Sequence, residues 1–183
     1  MLRQSLNPLV RVLTTMRVRP DSLTVVGWGL ALCAGLFFAL GHIRAAGAIM
    51  LLAGLFDALD GAVARESNLM TDFGAFLDSS LDRFSESAVF VGIIFFFATA
   101  GRPYEALLAG LAMAFSLLTS YVRARAEGLG IKCEVGLLER AGRVAIVSVF
   151  SLFGLITLAV ALVAVGALVT TSQRVLHVYR ATR

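Results

Sequence analysis

The stretch DALDGAVARESNLMTDFGAFLDSSLD, residues 57–82, decides how this chain folds. Its carboxylates fall at Asp57 and Asp60, three apart, and at Asp78 and Asp82, four apart. On an α-helix a three-residue step leaves two side chains about 60° apart. A four-residue step also keeps them on one face. The spacing therefore predicts two helices, each with an acidic face, meeting at one end. Gly74 stands one turn before Asp78 on the same face. Packed face to face, such helices bring four carboxylates together.

The flanking sequence is apolar enough to place these helices in lipid. Of 183 residues, 58% are hydrophobic and 15% charged, and the mean hydropathy is +0.86. Soluble domains carry about 25% charged residues, and so apolar a chain of this length cannot hide its surface in one small core. Apolar runs cover residues 22–40, 45–56, 73–100 and 104–127, and a last run covers 144–169 and continues helically to about residue 179. As one helix the last run is too long for a hydrocarbon core of about 30 Å. A turn near residues 154–157 would divide it. Charge supports the division. Arg3, Arg11, Arg17 and Arg19 precede the first run. Arg65 and Arg83 lie by the second connection, and Arg123, Arg125, Lys132, Arg140 and Arg143 lie around the fourth. Arg174, Arg180 and Arg183 close the chain, leaving Arg44 and Arg102 for the opposite side. The positive-inside rule then puts both ends in the cytoplasm, which needs an even number of spans. Six transmembrane helices in one all-α domain, 1–183, is the expectation, with the bundle over 21–180.

Residues 1–20 lack the continuous apolar run of a signal peptide. Leu2, Leu6, Leu9 and Leu13 fall on one side of a helix among the arginines, which predicts an amphipathic interfacial segment. Cys33 and Cys133 make neither a zinc set nor a disulfide framework, and His42 and His177 are far apart. Any metal is expected on oxygen ligands. The formal charge of +4 suits anionic lipid headgroups or phosphorylated substrates. No nucleic-acid partner is expected.

Four carboxylates near membrane depth are costly, at about 2.5–3.5 kcal/mol for a central Asp and less near an interface. Like charges add to this. The segment contains no lysine, and only Arg65 and Arg83 are close in sequence. Divalent cations answer the charge, two ions balancing four carboxylates; hard Mg²⁺ or Mn²⁺ prefers such oxygens and accepts phosphate as a further ligand. Gly61 and Ala64 leave the backbone bare beside Asp60, as Gly74 does opposite, so that a phosphate or flat ring can approach. Arg65 is spaced to pair with phosphate oxygens.

The pattern D-x2-D-G-x2-A-R-x8-G-x3-D-x3-D is present at Asp57, Asp60, Gly61, Ala64, Arg65, Gly74, Asp78 and Asp82. It resembles the signature of the CDP-alcohol phosphotransferases, and the resemblance extends over nearly the whole chain. It implies a CDP-diacylglycerol-like donor, a divalent metal, release of CMP and a homodimer. By the same resemblance Asp57, Asp60 and Asp78 ligate metal, while Asp82 completes the site and acts as general base. Thr24, in the stretch RPDSLT, resembles the family's Pro-x-x-x-Thr stretch and is placed near the nucleotide with Asp60, Gly61, Ala64, Arg65 and Gly74.

The acceptor is argued from the basic residues. Arg123, Arg125, Lys132, Arg140, Arg143 and Arg174 suggest an acceptor that carries phosphate. The pattern is similar to bacterial phosphatidylinositol-phosphate synthases and their archaeal counterparts, in which residues matching Arg123, Arg143 and Arg174 grip inositol phosphate. Those bacterial enzymes carry lysine where this chain has Arg123. Glycerol 3-phosphate and serine remain alternative acceptors. A non-catalytic membrane protein or cation transporter is the alternative of another class, although the acids bunch at one face instead of stepping through the membrane.

Overall fold

The computed structural model describes residues 10, 12, 14–16, 20–67 and 71–183. Among these there are six helices longer than two turns and no strand. They are α1 (Pro20–Ala39), α2 (Ile43–Glu66), α3 (Asp72–Thr99), α4 (Pro103–Glu127), α5 (Arg140–Leu152) and α6 (Ile156–Ala181). The expected amphipathic segment over 1–20, with Leu2, Leu6, Leu9 and Leu13, lies outside the described residues.

The boundaries follow local chemistry. Thr71 caps α3 by accepting a hydrogen bond from the Gly74 N–H at 3.0 Å. Pro103 begins α4, where its missing N–H costs nothing. Gly154, at φ +75°, makes the turn between α5 and α6, within the expected stretch.

Four helices, α1, α2, α4 and α6, have the length and apolarity to cross a membrane. That is the composition of a multi-pass membrane protein. The other two differ for separate reasons. Helix α3 has 28 residues, but Asp78, Asp82, Arg83 and Glu86 charge its first half. Helix α5 has 13 residues, about 20 Å at 1.5 Å per residue.

The helices pack in a closed circuit: α1 on α2, α2 on α5, α5 on α6, α6 on α4, α4 on α3, and α3 back on α1. Phe38, Phe90, Ile93, Phe97, Val147 and Val160 fill its centre. Small residues bring the helices close, as in membrane bundles generally. At the α1–α3 crossing a Cβ on Gly92 would stand 2.0 Å from the Gly35 carbonyl oxygen, so the backbones touch there. This crossing fixes α3 against α1, while α2 is held by both α1 and α5. The acidic ends of α2 and α3 consequently meet the start of α5.

Candidate active site

Asp57 of α2 and Asp78 and Asp82 of α3 point into one space. Each offers a carboxylate oxygen, and these oxygens all lie within 4.8 Å of one another. The helical spacing expected from sequence accounts for Asp78 and Asp82 sharing a face. Packing of α2 beside α3 adds Asp57.

Asp60 stands apart from this group. It is 5% exposed, and its Oδ2 is buried with no hydrogen-bond partner. The step that separates it from Asp57 turns it toward α1, where Thr24 lines the same cavity. The Thr24 hydroxyl donates to the Pro20 carbonyl at 3.2 Å.

The counter-charge comes from α5. Arg140 Nη1 donates to both oxygens of Asp57 at 2.9 Å, and Nη2 lies 2.6 Å from Asp82 Oδ1. Its Nε is buried and unpaired. Arg83 is nearer in sequence but less engaged: Nη1 is 3.9 Å from Asp82 Oδ2 and donates to the Ser79 carbonyl. Asp57, Asp60, Asp78 and Asp82 thus face two guanidiniums, which leaves an excess of negative charge. Oxygen-only donors, a negative excess and an orphaned buried carboxylate oxygen on Asp60 together fit a hard divalent cation such as Mg²⁺ or Mn²⁺.

Two cavities meet at these residues. The first, of about 270 Å³, runs between α1, α2, α3 and α5. Trp28, Met50 and Phe90 make its apolar wall, and Asp57, Asp60 and Asp82 its polar end. The second, of about 490 Å³, is polar. Arg123, Arg143 and Arg174 all line it, together with Asp78 and Asp82. Asp82, Arg140, Ala141 and Arg143 border both cavities.

Each arginine of the second cavity has a protein partner. Arg123 Nε donates to Glu127 Oε1 at 2.8 Å, one turn along α4. Arg174 donates to the carbonyls of Thr119 at 2.7 Å and Val135 at 2.9 Å. Arg143 is paired with Glu86, its Nε 2.6 Å from Oε1 and its Nη2 3.0 Å from Oε2. The connection 128–139 is tied to α6 beside this cavity: Leu137 N–H donates to Gln173 Oε1 and Leu138 N–H to Thr170 Oγ1, both at 2.9 Å. These bonds set where α5 begins, and so where Arg140 and Arg143 stand.

Gly61, Ala64, Arg65 and Gly74 line neither cavity. Arg65 is exposed, and its guanidinium lies over Gly61, where a Cβ would come 3.3 Å from Nη1. A Cβ on Gly74 would stand 3.0 Å from Thr71 Oγ1 and 3.5 Å from Asp21 Oδ1. Sequence reasoning counted Arg140 among the cations for the acceptor, not as the partner of the aspartates, and gave Glu86 no site role. One signal was available for each. Glu86 continues the four-residue ladder of Asp78 and Asp82, and Arg140 precedes Arg143 by one helical step of three.

A family model described as CDP-alcohol phosphatidyltransferase matches residues 17–173. The chain is 38% identical to the phosphatidylinositol phosphate synthase of Mycobacteroides abscessus, over 95% of this chain and 83% of that protein. It is 45% identical to the archaetidylinositol phosphate synthase of Methanothermobacter thermautotrophicus, over 73% of this chain and 66% of that one. Two crystal structures of the Mycobacterium tuberculosis phosphatidylinositol phosphate synthase superpose closely. The complex with manganese and citrate gives a TM-score of 0.85 at 32% identity, covering 94% of this chain and 88% of that one. The structure with CDP-DAG bound gives 0.84 at 31% identity, covering 94% and 92%.

Proposed function

The chain belongs to the CDP-alcohol phosphatidyltransferase family, and from that premise we propose that it transfers the phosphatidyl group of a CDP-diacylglycerol-like lipid to inositol phosphate, releasing CMP. One observation carries the choice of acceptor. Arg123 of α4, Arg143 of α5 and Arg174 of α6 line the same cavity as Asp78 and Asp82. Three guanidiniums from three helices, gathered beside the carboxylates, suit an acceptor that brings its own phosphate. The phosphatidylinositol and archaetidylinositol phosphate synthases among the relatives support the same acceptor.

The first cavity suits the donor, with an apolar wall for lipid and a polar end at Asp57, Asp60 and Asp82. Asp57, Asp60, Asp78 and Asp82 would hold Mg²⁺ or Mn²⁺, two ions per site. A metal bound there would supply neutralisation of the pyrophosphate charge and Lewis-acid activation of the phosphorus. Thr24, Gly61, Ala64, Arg65 and Gly74 are assigned to the donor's nucleotide and phosphates, Arg65 as the exposed cation whose guanidinium lies over Gly61. Asp82 is assigned as general base. Its Oδ1 is held by Arg140 at 2.6 Å, its Oδ2 lies 3.9 Å from Arg83, and the residue borders the second cavity. It takes the proton of the acceptor hydroxyl. The hydroxyl oxygen bonds to the lipid-linked phosphorus, the phosphoanhydride P–O bond breaks, and CMP leaves with the electron pair.

All six helices are read as spans, with both termini and the site on the cytoplasmic side and residues 1–20 as an interfacial segment of the single domain. The positive-inside pattern supports this orientation. A homodimer is proposed from the family.

The test is CMP release by purified protein with CDP-diacylglycerol and Mg²⁺ across inositol phosphate, glycerol 3-phosphate, serine and inositol. Release with inositol phosphate alone is expected. Release with glycerol 3-phosphate or serine instead would keep the chemistry and overturn the acceptor.

A further inference from the structure

Glu86 belongs to the acidic face of α3, yet neither metal binding nor proton transfer employs it. It lies one turn beyond Asp82 and outside the group formed by Asp57, Asp78 and Asp82. Both its oxygens are engaged by Arg143, at 2.6 Å and 3.0 Å. The pair is deeply buried, Glu86 at 7% exposure and Arg143 at 2%.

Stability does not account for such a pair. Taking two opposite charges out of water costs about as much as their attraction returns. A two-pronged contact does fix direction, because it sets both the plane of the guanidinium and its rotation in that plane. A guanidinium has five N–H donors. Glu86 takes one on Nε and one on Nη2, and Nη1 has only a long 3.4 Å contact with the Leu138 carbonyl. Arg143 borders both cavities, and in the second it stands with Arg123 and Arg174.

We infer that Glu86 is a positioning residue for the acceptor: by gripping the Nε–Nη2 edge of Arg143 it presents the Nη1 side to a phosphate in the second cavity. The contact joins residues 57 apart, on α3 and α5. It couples the helix that carries the general base to the helix that carries the phosphate donor group. The acceptor phosphate is thereby registered against Asp82, one turn from Glu86. This inference rests on the proposed phosphorylated acceptor.

The experiment is steady-state kinetics of the full-length protein with CDP-diacylglycerol, Mg²⁺ and varied inositol phosphate. Glu86→Gln replaces one accepting oxygen with an NH₂ that opposes Nη2. Glu86→Asp keeps the charge and draws the guanidinium back by one methylene. Either change is expected to raise the KM for inositol phosphate about tenfold, the effect of one lost hydrogen bond to a charged group, while the KM for CDP-diacylglycerol moves less than about twofold. In an Arg143→Gln background the Glu86→Gln change is expected to add nothing to the acceptor KM, since its effect passes through Arg143. If Glu86→Gln does not fold, Glu86→Asp alone decides. An acceptor KM unchanged in the Glu86 variants that fold, with Arg143→Gln raising it, overturns the positioning role and leaves the acceptor reading intact. An equal Glu86 effect with and without Arg143 also overturns the role. An acceptor KM unchanged in Arg143→Gln overturns the acceptor reading at this residue and the inference with it.

Discussion

The two ends of the bundle treat their charges differently. At the α3–α4 turn Arg102 is satisfied by its surroundings. It donates to Glu105 Oε1 at 2.8 Å and 3.0 Å and to Thr157 Oγ1 at 3.1 Å, and lies 4.9 Å above the Phe97 ring. One cation meets one carboxylate, with hydroxyl and ring completing the shell. At the α2–α3 turn Asp57, Asp78 and Asp82 crowd within 4.8 Å, with Arg140 as their main partner. Asp60 Oδ2 and Arg140 Nε are buried there without partners. The first end is arranged to hold helices together. The second is left electrically and geometrically incomplete, which is what the proposed site for a cation and phosphates requires.

Substitutions at the two ends should therefore separate turnover from stability. The largest effect is expected at Asp82. Asp82→Asn keeps the shape but removes the proposed base, and CMP release should fall about a thousandfold with thermal stability little changed. A mild loss of rate would break the assignment of Asp82. Arg140 comes next. Arg140→Ala removes the cation between the cavities, and turnover should fall about a hundredfold. The same change strips a competitor from Asp57 and Asp82, so Mn²⁺ affinity, read by electron paramagnetic resonance without substrate, should rise about tenfold. Metal affinity and turnover moving in opposite directions is an outcome that simple misfolding would not give.

Arg123 should matter less. Its guanidinium is partly exposed and shared with Glu127, so Arg123→Gln should raise the KM for inositol phosphate about threefold and leave the donor's KM alone. The smallest effect is expected at the opposite end. Arg102→Ala should leave turnover intact and cost at most about 1 kcal/mol of stability, as exposed ion pairs do. A large loss of activity in Arg102→Ala would erase the contrast between the ends.

Much of this could be read before the structure, and the reasons are local. Apolar runs marked most helix ends within a few residues, because helices solvated by lipid need no partner to declare themselves, but the second run stops at residue 56, ten short of the end of α2, where Asp57 and Asp60 interrupt it. The division of α5 from α6 came from charge counting, since hydropathy passes through Gly154 without a break. Asp78 and Asp82 share a face by helical geometry alone. Asp57 and Asp60 share one only loosely, and the 60° between them was enough for packing to send Asp57 to α3 and Asp60 toward α1. The arginine contacts were out of reach. Arg140 meets Asp57 across 83 residues, and Arg143 meets Glu86 across 57. Such pairings depend on where the 128–139 connection docks on α6, which no short-range pattern encodes. Arg123, Arg143 and Arg174 came from resemblance to a family, and the cavity that gathers them supplies the physical setting the sequence lacked.

The central claim is that the carboxylates joining α2 and α3 form a metal-dependent centre for transfer from a CDP-lipid. The most direct measurement is CMP release by chelator-stripped protein supplied with CDP-diacylglycerol and inositol phosphate, with Mg²⁺ then restored, for wild type and Asp78→Asn. The account predicts no release until Mg²⁺ returns, full recovery for wild type, and little for Asp78→Asn at any metal concentration. Release that ignores the chelator, or that survives Asp78→Asn undiminished, would contradict it.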